Sequence, residues 1–168
     1  MSLVRRMTPQ HYQDGFWDYQ HRFKCLLKYV GGVDNLSAQI GFGALPFEIK
    51  CNVGSNIGKH VHFKVVQDSS NTIERGIYGS VGDGTEERLV KLNASLPAVG
   101  VIQEYEIIYD PEAYTVRFMI DEADVGSIEN FRPTGSCEIY DKFMLNIGAR
   151  SWGAMTAMDI LQYKHYIE

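Results

Sequence analysis

Apolar and polar residues alternate with period two along most of this chain, the pattern of half-buried β-strands. The run Tyr114–Ile120 places Tyr114, Val116, Phe118 and Ile120 on one face and Thr115, Arg117 and Met119 on the other. Tyr105–Tyr109 repeats the pattern, and Asp110-Pro111-Glu112-Ala113 between the two runs supplies turn geometry. Glu104–Asp121 is therefore predicted to be a β-hairpin. Further strands are predicted at Arg22–Val30, Leu36–Phe42, Phe47–Val53, His60–Val66, Gly76–Val81, Glu87–Asn93, Asp141–Gly148 and Met158–Ile167. Between them lie turn signals such as Gly31-Gly32, Asp68-Ser69-Ser70-Asn71 and Gly82-Asp83-Gly84. Helix signals are thin: Pro9 to Tyr19 could form a turn or two. Regular turns between short strands predict an all-β fold, an antiparallel β-sandwich.

Length and composition sharpen this picture. The 168 residues suit one domain, with residues 1–20 expected to be an N-terminal extension and residues 21–168 a single sandwich. Phe16, Trp17, Tyr19 and Phe23 make that extension a candidate docking element. The net charge is −5, which argues against nucleic acid as the partner. No apolar run is long enough to span a bilayer, and no apolar stretch follows the arginines of the first residues as in a secretory signal. Neither feature assigns a compartment. The three cysteines, Cys25, Cys51 and Cys137, form no CxxC pair, and Cys25 and Cys51 read as buried thiols.

Three places carry candidate chemistry. In His60–Val65, alternation turns Val61, Phe63 and Val65 to the core and projects His60, His62 and Lys64 together from the other face. Such a set can hydrogen-bond hydroxyls or an anion, hold a metal, or form a solvated strand face. After the turn at Gly84, Glu86 and Arg88 share a face with Glu87 opposite, an array suited to hydroxyl recognition or a surface ion pair. Trp152, in a glycine-flanked segment, could stack on a sugar or cap the core.

Ala113 to Ile128, with its Val125-Gly126 step, resembles the hairpin region of concanavalin A-like jelly-roll domains, and Phe143–Gly148 and Met158–Tyr163 resemble their closing strands. Within that group the polar motifs are similar to those of galectins. The family's H-x-N-x-R looks like His60-Val61-His62-Phe63-Lys64, and its W-G-x-E-x-R looks like Asp83-Gly84-Thr85-Glu86-Glu87-Arg88. Phe131-Arg132-Pro133 resembles a further galectin stretch. The resemblance implies a non-catalytic glycan- or polyol-binding module that needs no cofactor, with His60, His62, Lys64, Glu86 and Arg88 as ligand contacts, and Trp152 is expected to add an aromatic contact. Asp83 stands where the stacking tryptophan belongs, so a different glycan, or a scaffold that has lost sugar binding and serves as a structural or protein-interaction domain or homo-oligomer, also fits. Gly54, His60, His62, Gln67 and Glu138 resemble the cupin ligand pattern, which would imply a metal-dependent enzyme. Asp121, Glu122 and Asp124 come nearest to a glycosidase signature but read as turn residues.

Overall fold

The computed structural model describes residues 2–3, 15–30, 37–44, 58–67, 73–135, 143–150 and 158–168. The described residues form eleven strands: β1 (Ser2–Leu3), β2 (His21–Tyr29), β3 (Ser37–Ala44), β4 (His60–Val66), β5 (Gly76–Gly82), β6 (Glu87–Lys91), β7 (Ile102–Asp110), β8 (Thr115–Ile120), β9 (Ala123–Glu129), β10 (Phe143–Arg150) and β11 (Met158–Ile167). They form two antiparallel sheets, a six-stranded one in the order β1-β10-β3-β4-β5-β6 and a five-stranded one in the order β11-β2-β7-β8-β9. Among the described residues no helix is long and apolar enough to cross a membrane.

The alternation seen in the sequence sets which side of each strand is buried. In β2, His21, Phe23, Cys25, Leu27 and Tyr29 are buried, and the residues between them are not. In β8, Val116, Phe118 and Ile120 are buried while Arg117 is exposed. The β7–β8 turn closes because Asp110 Oδ1 accepts bonds from the Glu112 and Ala113 amides at 3.0 and 2.9 Å. The two sheets meet through aromatic residues: the Phe63 ring sits edge-on to Tyr105 and Phe118 at 5.2 and 5.1 Å.

Two expectations change. The segment Asp121-Glu122 is a tight turn with φ of 51° and 66°, but Asp124 belongs to β9, where it pairs across to Met119 and binds Arg117 at 2.8 Å. Phe16 and Trp17, expected in a docking extension, are buried in the core shared by both sheets, and Phe23 is buried there too. They enter it from a single 3-10 turn, Phe16–Asp18. Trp17 stacks on Phe42 at 5.8 Å, and the Tyr109 hydroxyl bonds to the Trp17 carbonyl. Only Tyr19 of the four is exposed. The reason is volume: an indole and a phenyl ring at an open sandwich end bury more apolar area than they would expose on a surface. The predicted strand Phe47–Val53 lies outside the described residues.

Trp17→Ala should therefore cost about 3–5 kcal/mol of folding stability, whereas Tyr19→Ala should stay within about 0.5 kcal/mol. Urea unfolding of both variants measures the difference, and equal small effects would place Trp17 outside the core.

Candidate functional site

The strand β4 lies between β3 and β5, and every one of its residues is buried. Val61, Phe63 and Val65 enter the core between the sheets, as the sequence predicts. His60, His62 and Lys64 leave on the outer face, but each is 0% exposed, so they do not form the solvated face that alternation allows.

Register assembles the rest of this face. His60 lies beside Gly43 and Gly82, His62 beside Gly41 and Ser80, and Lys64 beside Gln39 and Tyr78. The glycines make room for the imidazoles. A Cβ on Gly82 would meet the His60 ring at 2.5 Å, and one on Gly41 would meet His62 Cδ2 at 2.8 Å. With that space, the two rings stack at 4.6 Å and 23°.

The carboxylate of this face is Glu87, not Glu86. The β5–β6 turn is a four-residue loop closed by the pair Gly82 and Glu87, and its Asp83 Oδ1 accepts bonds from the Thr85 and Glu86 amides at 2.7 and 2.9 Å. Glu87 thus continues the row of His60 and Gly82. It forms an ion pair with Lys64, both side chains wholly buried, and accepts from Ser80 Oγ at 2.5 Å. The His60 Nδ1–H donates to the Gly58 carbonyl at 2.6 Å, and Nε2 lies 2.8 Å from Ser80 Oγ. The single hydroxyl proton of Ser80 is therefore shared between an imidazole and a carboxylate. Gln39, beside Lys64, is buried with no hydrogen-bond partner for its carboxamide among the described residues.

Charge follows from this burial. Burial alone would raise the Glu87 carboxyl, but the His60 contact and the Lys64 charge overcome it and hold the group at about 2. Burial lowers His60 against the opposing pull of Glu87. Burial, reinforced by the neighbouring His60 and Lys64, holds His62 well below its ordinary value. At neutral pH the cluster is one ion pair and two uncharged imidazoles.

Glu86 and Arg88 lie elsewhere. Arg88 shares the row of Val61 and Val81, the opposite face, and its guanidinium covers the Phe131 ring at 4.4 Å. Glu86 stays beside it at 3.8 Å, both side chains at least half exposed. The expected platform of five residues is thus divided between two faces, because the spacing read from the galectin motif is one residue out of step with the four-residue loop. Gln39, Ser80 and Glu87 were not expected. A count of alternation back from the closing pair of that loop finds Glu87. Trp152 lies outside the described residues.

The metal-centre reading does not fit this geometry. Metal ligands direct ring-plane lone pairs at one point, whereas stacked imidazoles hold theirs in near-parallel planes, and both His60 nitrogens are already engaged. Gln67 donates to the Pro97 carbonyl at 3.2 Å, and among the described residues no three His, Cys, Asp or Glu side chains are grouped so as to hold a metal ion. Gly54 and Glu138 lie outside the described residues. Burial pushes the Cys25 thiol up to about 12, which leaves it protonated and unreactive.

The two antiparallel sheets form a β-sandwich of the fold seen in solved carbohydrate recognition domains and galectins. The chain is similar in structure to the carbohydrate recognition domain of Emp47p, with TM-score 0.66 and 14% identity over 99% of this chain and 77% of that one. It is also similar to sheep galectin-11 in complex with glycerol, with TM-score 0.53 and 10% identity over 99% of this chain and 96% of that one. A tetrameric galectin from the ball sponge Cinachyrella sp. matches with TM-score 0.57 and 7% identity over 99% of both chains. At these identities the likeness is one of fold. No family model matches the chain, and no curated protein matches it in sequence.

The buried cluster predicts a pH dependence with a definite sign. Imidazoles held below 6.5 in the folded state, His21 at about 4 among them, contribute stability above pH 6.5 that is lost as pH falls, since the unfolded chain takes up the protons. Glu87 contributes above its ordinary 4.5 and loses that contribution as pH falls toward 2. Denaturant unfolding should show stability declining steadily between neutral pH and pH 4.5, with a shallower decline in His62→Gln. A flat profile would mean that the buried imidazoles accept protons without cost.

Proposed function

We propose that this domain is a non-catalytic, lectin-like module that recognises a glycan or polyol through the outer face of its six-stranded sheet. The observation that carries the reading is the array Gln39, His60, Lys64, Ser80 and Glu87 on adjacent strands of a lectin-type sandwich. It sets donors and acceptors in fixed positions on one face of the sheet, the chemistry that vicinal hydroxyls require. The unsatisfied Gln39 carboxamide supplies a donor and an acceptor not used within the described residues. Glu86 and Arg88, on the other face, are outside this proposed site.

Complete burial of these side chains sets a condition: a saccharide reaches them only if the outer face opens. The same burial favours a second reading, in which the cluster is an internal polar network and the sandwich is a structural or protein-interaction domain. Replacing both members of a buried ion pair by neutral groups of similar volume is close to neutral for stability, which makes the two readings separable. The purified protein should give hits on a glycan array, and Lys64→Met/Glu87→Gln should lose them with little change in melting temperature. Hits that survive the double substitution would move the site elsewhere. A wild-type protein that binds no glycan would leave the internal network as the correct reading.

A further inference from the structure

The outer face of the five-stranded sheet carries a cleft of about 480 Å³, within the roughly 300–1,000 Å³ usual for small-molecule sites. Rows of cross-strand neighbours build it. Gln162, Leu26 and Glu104 form one row, Lys164, Lys24 and Glu106 the next, and Tyr166 stands beside Arg22 in the third. β2 supplies the floor, and β11 and β7 supply the two walls.

Ion pairs fix the floor. Glu106 is only 3% exposed, and it holds Arg22 through Nε and Lys24 at 3.2 Å. Lys24 also donates to Glu104 Oε1 at 2.9 Å. These four charges cancel, two against two. The β11 wall differs. Lys164 faces Lys24 across the ladder and forms no ion pair within the described residues. The remaining carboxylate of the lining, Glu168, acts on Arg22 instead. The side chains of Gln162 and Tyr166 make no hydrogen bond within the described residues, and Tyr166 is 45% exposed.

We propose that this cleft holds a single sugar residue that carries a carboxylate, as a uronic acid does. Gln162 and Glu104 stand two strand spacings apart, about 10 Å, which leaves room for one pyranose ring over the apolar Leu26. The carboxamide of Gln162 and the second oxygen of Glu104 face hydroxyls from either side. The Tyr166 ring offers an apolar face to the sugar. Lys164 takes the carboxylate in a charge-assisted hydrogen bond, and that contact relieves its repulsion with Lys24. The ion pairs of the floor hold these groups in place before the sugar arrives. The cleft lies on the opposite side of the sandwich from the buried Lys64–Glu87 cluster, and it does not depend on that cluster binding a glycan.

Amide chemical shifts of the ¹⁵N-labelled protein, titrated with sodium glucuronate, test this. Shifts should concentrate at Arg22–Leu26, Glu104–Glu106 and Gln162–Tyr166, with a dissociation constant on the order of millimolar, as suits a groove open on one side. Glucose should bind about tenfold more weakly, and Lys164→Gln should reduce glucuronate to the affinity of glucose. Tyr166→Ala should weaken both sugars. All these side chains are exposed, so the variants fold. An absence of shifts overturns the proposal, as do shifts centred on β4 and β5 or a Lys164→Gln variant that still prefers glucuronate. Sodium acetate binding as tightly as glucuronate overturns it too, since the cleft would then hold an anion without reading the sugar.

Discussion

A lysine ammonium cannot be taken wholly out of water unless an acceptor meets it there, and the outer face of the six-stranded sheet is organised around that constraint. Lys64 is central in β4, with no exposure to solvent, and Glu87 reaches it from two strands away. That contact fixes more than one pair of charges. It holds Glu87 in its ionised form, which gives Ser80 an acceptor and brings His60 into the same network. His60 then carries His62 on its ring face. The glycines beside the rings follow from the same arrangement, because flat stacking on the sheet leaves no room for a Cβ at Gly82. Each member limits the position of the next.

This network bears on how a binding face can be built. Polar side chains that satisfy one another are rigid, and rigidity lowers the entropy lost when a ligand replaces one partner with another. The opposing cost is desolvation, which a fully buried ion pair has already met on folding. A face of this kind is preorganised, and access governs its use.

Most of the architecture was legible in the sequence, because one buried face per strand leaves a period-two signature. β2, β4, β5, β8 and β11 fall within a residue or two of their predicted bounds, and β7 begins three residues before its predicted start. β9 was hidden, since Asp121, Glu122 and Asp124 look like one acidic turn, yet two residues with positive φ suffice to reverse the chain. The candidate face was half legible: His60, His62 and Lys64 share a side, as alternation requires. Their burial was not legible, because a strand buried on both faces with polar residues on one of them looks the same in sequence as a wet one. The acid partner was misassigned by one position, since loop length decides which of Glu86 and Glu87 enters the ladder. Phe16 and Trp17 carried no periodic signal, and their place in the core depends on contacts with Phe42 and Tyr109 far along the chain.

The order of strands in the two sheets also constrains how the chain can be made. β2 is bordered by β7 and β11, and β3 by β4 and β10. The Gln20 and Glu168 backbones exchange hydrogen bonds at 3.1 and 3.0 Å, which joins the start of the sandwich to its last residue. During synthesis, each sheet therefore waits for a strand that lies far along the sequence from its early neighbour. Until then an early strand in each sheet has one open edge, and Phe16, Trp17 and Phe42 have only part of their packing. Such a nascent chain folds late and as a whole, with its longest sequence separations closed last.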